Sequence, residues 1–530
     1  MLSAGPGTPN FGAKYSSSKI KTASSRWPFL FDAEIKRERE ERAEPLFQAT
    51  GFEPSAKPVS VASLSAVIKT VLPCKTAEEA KSFPAGTSFP AIRIVLSIES
   101  NYIITGYIWQ RADFFNIILF IMKLWIKYLI AIALGLGAAF ILPANNTAIA
   151  SVVASLSEFS VRFGRYTLLP LLFFGVSTAV FQLRSTKLLG KTALWTIIAV
   201  FGTTLILALL GLLSILIVKL PRIPITGEKM SSLPAIDIKS LTMQLFPYSG
   251  FEALLHGAYL LPCFIFAGFA GAGCTTDQSA SKPVISFLDS AAKLCYSIMS
   301  FFIEWLSVGM IAISAWWMFS ARPVFASGTY TPLFIMLLVD FVLVLGLIYP
   351  LILYFLCNDQ HPYHAIYACI TPIITAFFSG DSNLSLQVNL RHARESLGVH
   401  QPSSDVTIPL FSIFARGGSA LVTTICFVMI LRSYSSLGFA FFDILWIFGA
   451  SLVISFVLSS LPTGGTFVAL TILCTIYSRG FESGYLLLRP AAPVFCSFAA
   501  AFDAVSAVFG SYVVAVKTRQ FEHVELKHFI

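Results

Sequence analysis

From about residue 120 onward the chain alternates long apolar runs with short polar punctuation, and the runs come in two lengths. The long ones match the ~20 residues that a helix needs to cross a bilayer. They are Leu124 to Leu142, Phe163 to Val180, Ala193 to Ile217, Ala291 to Phe319, Leu333 to Leu356, Val406 to Leu431 and about Leu486 to Val516. A polar, Pro-containing loop from Pro221 to Tyr248 precedes a patchy region, Phe251 to Gly273, whose small residues predict a broken fourth span. Other runs are too short or interrupted. Ala365 to Phe378 stops at Ser379-Gly380-Asp381-Ser382-Asn383. Phe441 to Ser460 stops at Leu461-Pro462-Thr463-Gly464-Gly465-Thr466 and restarts as Phe467 to Tyr477. The run from Val406 is itself cut at its middle by Phe414-Ala415-Arg416-Gly417-Gly418-Ser419. Backbone that leaves the helix at membrane depth is tolerated only where protein or a watery cavity satisfies it, so such breaks mark a binding site. The pattern is that of a transporter core.

Composition sharpens this. Of 530 residues 56% are hydrophobic and only 12% charged, too little charge to cover a soluble surface of this size. The chain is therefore a polytopic membrane protein. Its formal charge of +9 comes from scattered basic residues that form no stripe, which argues against nucleic acid as a partner. Basic clusters follow the second span (Arg184, Lys187, Lys191), separate the first short hairpin from the seventh span (Arg391, Arg394) and follow the last span (Lys517, Arg519). All three fall on one side, the cytoplasmic one, if both interrupted stretches are hairpins that return to the side they entered from. The nine cysteines lie mostly inside apolar runs without a Cys-x-x-Cys spacing, which is the usage of small buried hydrophobes. No nucleophile–base arrangement or phosphate loop stands out, and His361 and His364 at a membrane edge are ordinary loop residues, so no enzyme is expected.

Residues 1–115 differ, being rich in Ser, Pro, Ala and charge, with the mixed run Glu34 to Arg42. Two readings stay open. The segment is either a disordered cytoplasmic extension, or an over-extended gene start with Met122 as the initiator, which N-terminal peptides mapping before residue 115 would rule out.

Ionisable residues inside apolar spans are costly and face a cavity or a partner. Asp381 at the first tip is a candidate to take a proton or cation. Arg416 in the break offers a planar fork for a carboxylate. Asp503, in the last span, could assist either. The competing reading is that Arg416 simply pairs with Asp381 or Asp503 and holds the core together. Glu304 and Asp340 also sit in spans, but neither lies near a predicted helix break, and both are expected to be structural.

The order of these elements resembles the dicarboxylate/amino acid:cation symporters, with the glutamate-transporter fold, over about Lys123 to Thr518. The resemblance is carried by Ala376-Phe377-Phe378-Ser379, Leu386 to Arg391, Glu395-Ser396-Leu397-Gly398-Val399 and Ile408-Pro409-Leu410, the last matching the family's Leu-Pro-Leu. Leu461-Pro462-Thr463-Gly464-Gly465 resembles the family's Val-Pro-Gly-Ala-Gly tip, and Leu261-Pro262 its fourth-span region. The functional motifs depart further. The serine-rich tip becomes Asp381-Ser382-Asn383, and the family's Asn-Met-Asp-Gly-Thr becomes Ala415-Arg416-Gly417-Gly418-Ser419. The side chains that hold sodium are thereby lost, as are most third-span contacts near Ala199, Gly202 and Thr203. Of the last span's aspartates and arginine only Asp503 is found.

The resemblance implies an all-α membrane protein of eight transmembrane helices and two re-entrant helical hairpins. It implies a domain at residues 122–518, with scaffold spans at about 122–185 and 250–320 and an elevator-like transport unit at about 192–220 and 330–518. A cytoplasmic tail follows at 519–530. It also implies a homotrimer and a small anionic substrate, a dicarboxylate or acidic amino acid, bound by Asp381, Ser382, Asn383, Arg416, Ser419, Gly464, Gly465 and Asp503. No cofactor is expected beyond a coupling ion, sodium or a proton. A weak sodium site would use only the backbone of Phe411, Ala415 and Gly417. The expected location is the bacterial inner membrane, with the C-terminus cytoplasmic. An uncoupled facilitator, or a scaffold or receptor that kept the fold and lost transport, are the alternatives.

Overall fold

The computed structural model describes residues 122–143, 146–224, 247, 249–255, 260–359, 361–434, 441–457, 465–477 and 483–529. All regular structure among them is helical, and their one strand-like feature is an isolated bridge between Val399 and Phe521. The helices are α1 (Leu124–Ile141), α2 (Thr147–Arg165), α3 (Leu168–Ser185), α4 (Leu189–Ile217), α5 (Gly250–Leu255), α6 (Leu260–Gly273), α7 (Gln278–Ser327) and α8 (Thr331–Leu343). There follow α9 (Tyr349–Ile352), α10 (Tyr363–Ala368), α11 (Ile370–Ser379), α12 (Ser382–Glu395), α13 (Gln401–Phe414), α14 (Gly417–Tyr434), α15 (Phe441–Val457), α16 (Gly465–Tyr477) and α17 (Ala492–Thr518).

Among the described residues, seven helical runs are long and apolar enough to cross a membrane: Leu124–Ile141, Thr147–Ser185, Leu189–Ile217, Ser279–Ser327, Thr331–Cys357, Gln401–Tyr434 and Gly484–Thr518. Four shorter apolar helices accompany them: Leu260–Gly273, Ile370–Ser379, Phe442–Val457 and Gly465–Tyr477. The protein is a multi-pass membrane protein, all-helical among the described residues.

Three runs differ from the hydropathy reading. The second begins near Thr147 instead of Phe163, because α2 carries Glu158, Arg162 and several serines that depress its hydropathy without breaking the helix. Asn146 caps it, its side chain accepting from the Ala148 N–H at 3.0 Å. The run Ala291 to Phe319 is the middle of α7, whose 50 residues would span about 75 Å at 1.5 Å each, over twice the bilayer core. Asp277 caps α7, and the Ser279 hydroxyl and the Ala280 N–H that it accepts hold its carboxyl below the usual carboxylate range. The sixth run is not a plain helix. After α8 it widens into π-helical turns at Val344–Ile348 and again at Leu353–Cys357, on either side of α9.

Packing follows from which helices are apolar all round. α14 is buried continuously from Gly417 to Leu431, the signature of a central helix. It packs against α4, α15, α16 and α17, while α3 packs against α6, α7 and α13, and both α1 and α2 against α7. α12 is buried on nearly every side despite its polar sequence, so its side chains must find partners inside the protein. Near its C-terminal end they form an ionic chain. Glu304 of α7 pairs with Lys127 of α1 and accepts from Arg391 Nη1 at 2.9 Å, and Arg391 Nε reaches Glu395 at 3.2 Å. The Tyr296 hydroxyl donates to Glu395 at 2.7 Å, and the Arg394 guanidinium lies over the Tyr296 ring. Arg394 also donates to the Ser404 hydroxyl at 2.9 Å and pairs with buried Asp405.

Candidate functional site

Two helix termini and one helix break meet at the centre of this bundle. The break lies between α13 and α14. Ala415 (φ −82°, ψ 64°) is the centre of an inverse γ-turn, in which the Arg416 N–H donates to the Phe414 carbonyl at 2.9 Å. A turn this tight leaves the first N–H groups of α14 pointing along the helix axis with no intrahelical partner. Asp503 of α17 takes them. Its Oδ1 accepts from the Gly418 N–H at 2.7 Å and the Ser419 N–H at 3.3 Å, and its Oδ2 from the Ser419 hydroxyl at 2.9 Å. The approach needs a glycine, since a Cβ on Gly418 would stand 2.2 Å from the Phe502 Cβ and 2.6 Å from the Ala499 carbonyl oxygen.

The first tip reaches the break from the other side. Gly380 closes α11 in the left-handed region (φ 62°), and Asp381 caps α12, accepting from the Asn383 N–H at 2.9 Å. Ser382, the first residue of α12, accepts a hydrogen bond from Arg416 Nη1. The Arg416 side chain is buried, and its Nε has no hydrogen-bond partner among the described residues. The second tip contributes the start of α16, where the Thr466 hydroxyl donates to the Ser419 hydroxyl at 3.2 Å. Gly380, Ser382, Arg416, Ser419, Gly465, Thr466, Cys496, Ala500 and Asp503 together line one small cavity of about 10 Å³, room for about one water.

The structure thus brings together Ser382, Arg416, Ser419, Gly465 and Asp503 of the residues expected from sequence. Asp381 and Asn383 are buried directly behind them in the same tip, and Gly464 lies outside the described residues. The alternative pairing of Arg416 is not what is seen. Arg416 bonds Ser382, and Asp381 instead pairs through Oδ2 with Arg165 Nη1 at 3.2 Å, a residue of α2 that sequence reasoning overlooked. Arg165 was hidden because the second span was started at Phe163, which made it one more basic residue at an apolar edge. Thr466 was missed as well, although it follows directly on the glycine pair of the second tip.

The backbone sodium reading finds a poor setting. The Phe411 carbonyl already accepts from the Ala415 N–H at 2.8 Å. Among the described residues Asp503 is the one carboxylate that lines the cavity, too few charged oxygens for a hard cation that gathers six or more ligands. Among the described residues, no group of three or more His, Cys, Asp or Glu could hold a metal ion. Glu304 and Asp340 lie elsewhere. Asp340 is in a continuous helical run, as expected, though π-helical turns begin four residues after it.

Discontinuous helices that meet around a buried guanidinium and a buried carboxylate, in a multi-pass membrane protein, define a secondary transporter. The chain belongs to the sodium:dicarboxylate symporter family, which it matches over residues 124–517. Among individual proteins it is similar to the serine/threonine transporter SstT of Streptococcus agalactiae serotype III (strain NEM316), with 25% identity over 359 residues, 66% of this chain and 84% of that protein. The serine/threonine transporter SstT of Streptococcus agalactiae serotype Ia matches equally, at 25% over 359 residues, with the same 66% and 84% coverage. The chain is a member of a transport family, as its sequence led one to expect, and not an enzyme.

Proposed function

We propose that this protein is a cation-coupled symporter of a small zwitterionic amino acid, with serine and threonine as the first candidates. The observation that carries this reading is the presence of Arg416 and Asp503 on the wall of one cavity that Ser382, Ser419 and Thr466 also line. A guanidinium suits the substrate's α-carboxylate, which the N-terminal end of α12 would also attract. A carboxylate lining the same cavity suits its ammonium group, and hydroxyl groups suit a hydroxylated side chain. A dicarboxylate or an acidic amino acid brings more negative charge, and Asp503 stands against it. The relatives named serine/threonine transporters favour the same substrate class. The cavity is far smaller than any amino acid, so binding requires the tips to move apart, as gating hairpins do.

The remaining architecture follows the family. α11 with α12, and α15 with α16, serve as the two re-entrant hairpins, and eight spans complete the fold. The division into a scaffold (122–185 and 250–320) and an elevator-like transport unit (192–220 and 330–518) rests on the packing of α4 against α14 and α17. The assembly is a homotrimer in a bacterial cell membrane, with the basic ends of the spans and the C-terminus cytoplasmic. Equilibrium binding to the purified protein tests the substrate class. Serine and threonine should displace labelled serine, Arg416→Ala should abolish binding, and succinate should not compete. Displacement of labelled aspartate by succinate, with no binding of serine, would return the reading to a dicarboxylate.

A further inference from the structure

One carboxyl buried in the span region has surroundings unlike those of Asp381, Asp405 and Asp503, each of which has a cationic or multiple-donor partner. Asp340 of α8 is 3% exposed. Its Oδ1 accepts from the Ser214 hydroxyl of α4 at 2.6 Å, and its Oδ2 has no hydrogen-bond partner among the described residues. Among the described residues no basic group lies within ion-pairing distance, and Ser214 is the one side chain seen to hydrogen-bond it. Asp503 has three donors for its two oxygens, the arrangement of an acceptor-only carboxylate. Asp340 has one.

The neighbouring elements supply no counter-charge. α8 packs against α4, α17 and the π-helical turns that continue it. α4 carries a single ionisable group, Lys191, 23 residues from Ser214 and so about 35 Å away along the helix. α17 carries Cys496, Asp503, Tyr512 and Lys517. It meets α8 through the Phe341 and Phe502 rings at 5.0 Å, while Asp503 is turned to α14 and the Tyr512 hydroxyl to Asp359. Within the span itself, the Tyr349 hydroxyl bonds Ser506, and Tyr354 and Cys357 lie further along. None of these groups touches Asp340.

An anionic carboxylate in this place would be buried without compensation. Among the described side chains a sodium ion would find the oxygens of Asp340 and Ser214, well short of the six or more that hard cations gather. A proton resolves the problem with one atom. On Oδ2 it neutralises the carboxyl and leaves Oδ1 free to accept from Ser214. Ser214 is three residues from the end of α4, and Asp340 lies about 14 Å along the sixth span from Thr331, so the group sits nearer one membrane face than the other. The adjoining π-helical turns are of the kind that mark functional sites within helices.

We propose that Asp340 is the proton-binding site that couples transport, separate from the substrate cavity. It takes up a proton as a neutral carboxylic acid on one side of the membrane and releases it as a carboxylate on the other. The proposal rests on the transport reading above for its purpose, but the site can be tested without it. Infrared difference spectra of the purified protein between low and high pH should show a protonated carboxyl C=O band that is absent from Asp340→Asn and shifted in Asp340→Glu. An unchanged band in Asp340→Asn, or no such band in the parent, overturns the site whether or not any substrate is carried. In proteoliposomes with labelled serine, Asp340→Asn should keep exchange against internal serine yet lose the roughly tenfold accumulation that one unit of inward pH gradient can support. Asp340→Glu should retain that accumulation. If the asparagine variant still accumulates serine like the parent, Asp340 is not the coupling site. If the parent carries no serine, the substrate reading fails while the infrared result still decides the site.

Discussion

Asp503 and Gly418 depend on each other, since the carboxylate can cap α14 only where the backbone comes within 2.7 Å of it, and a side chain at 418 would forbid that approach. Gly418→Ala pushes a methyl group into the Phe502 Cβ and a backbone carbonyl, neither of which can swing aside. Overpacking of this kind costs about 1–3 kcal/mol or more, and should lower the melting temperature in detergent and abolish uptake. Asp503→Asn keeps the shape but turns an amide nitrogen toward donors, leaving one of the N–H or O–H groups of residues 418 and 419 unpaired. A loss of about 1–3 kcal/mol is expected, with uptake lost as well, checked by thermal unfolding and transport in the same preparation. A variant as stable and active as the parent would contradict the capping role. At this scale, Arg416 and Asp503 were legible because a charge inside an apolar run demands an explanation. Arg165 was not, since a basic residue at the end of a run is ordinary and its partner lies more than two hundred positions away in the chain. The rewired partner of Asp381 is therefore a fact of tertiary structure alone.

The breaks were the most legible elements. Half-length runs ending in Gly, Ser and Asp read as interrupted helices, and α11, α12, α13 and α14 end and restart at those residues. The tip Leu461 to Gly464 lies outside the described residues. Two features escaped the sequence for physical reasons. Hydropathy averages over a helix, so α2 vanished behind its own Ser and Glu content. A π-helical turn has the same composition as an α-helical one, so nothing in Val344 to Ile348 announces it. The ionic chain at the end of α12 also belongs to this scale. Arg394 and Asp405 come from α12 and α13, and Asp405 is nearly inaccessible. Removing one partner of a buried pair strands the other charge, so Arg394→Ala should destabilise the protein by about 3–5 kcal/mol, with Arg394→Ala/Asp405→Ala recovering part of that loss. Thermal unfolding of the two variants decides it, and equal stability of parent and Arg394→Ala would show that the pair contributes nothing.

For the whole molecule, composition alone placed the chain among multi-pass membrane proteins, and motif order placed it in its family, which the match over residues 124–517 bears out. The substrate was least legible. The family resemblance pointed to a dicarboxylate, whereas the site as built balances one guanidinium against one carboxylate, a balance visible only once the break, the tips and α17 are brought to one cavity. The departure from the family's sodium-binding motifs was plain in the sequence, but the proton site proposed at Asp340 was not, because Asp340 draws attention only when its second oxygen is seen without a partner among the described residues. The most direct measurement of the central claim is uptake of labelled serine into proteoliposomes holding the purified full chain, with a sodium gradient, a proton gradient or none, and Arg416→Ala in parallel. A proton-coupled serine symporter should show accumulation under the proton gradient, competition by threonine, and loss of uptake in Arg416→Ala. Serine uptake that survives Arg416→Ala, or accumulation of succinate in its place, would contradict it.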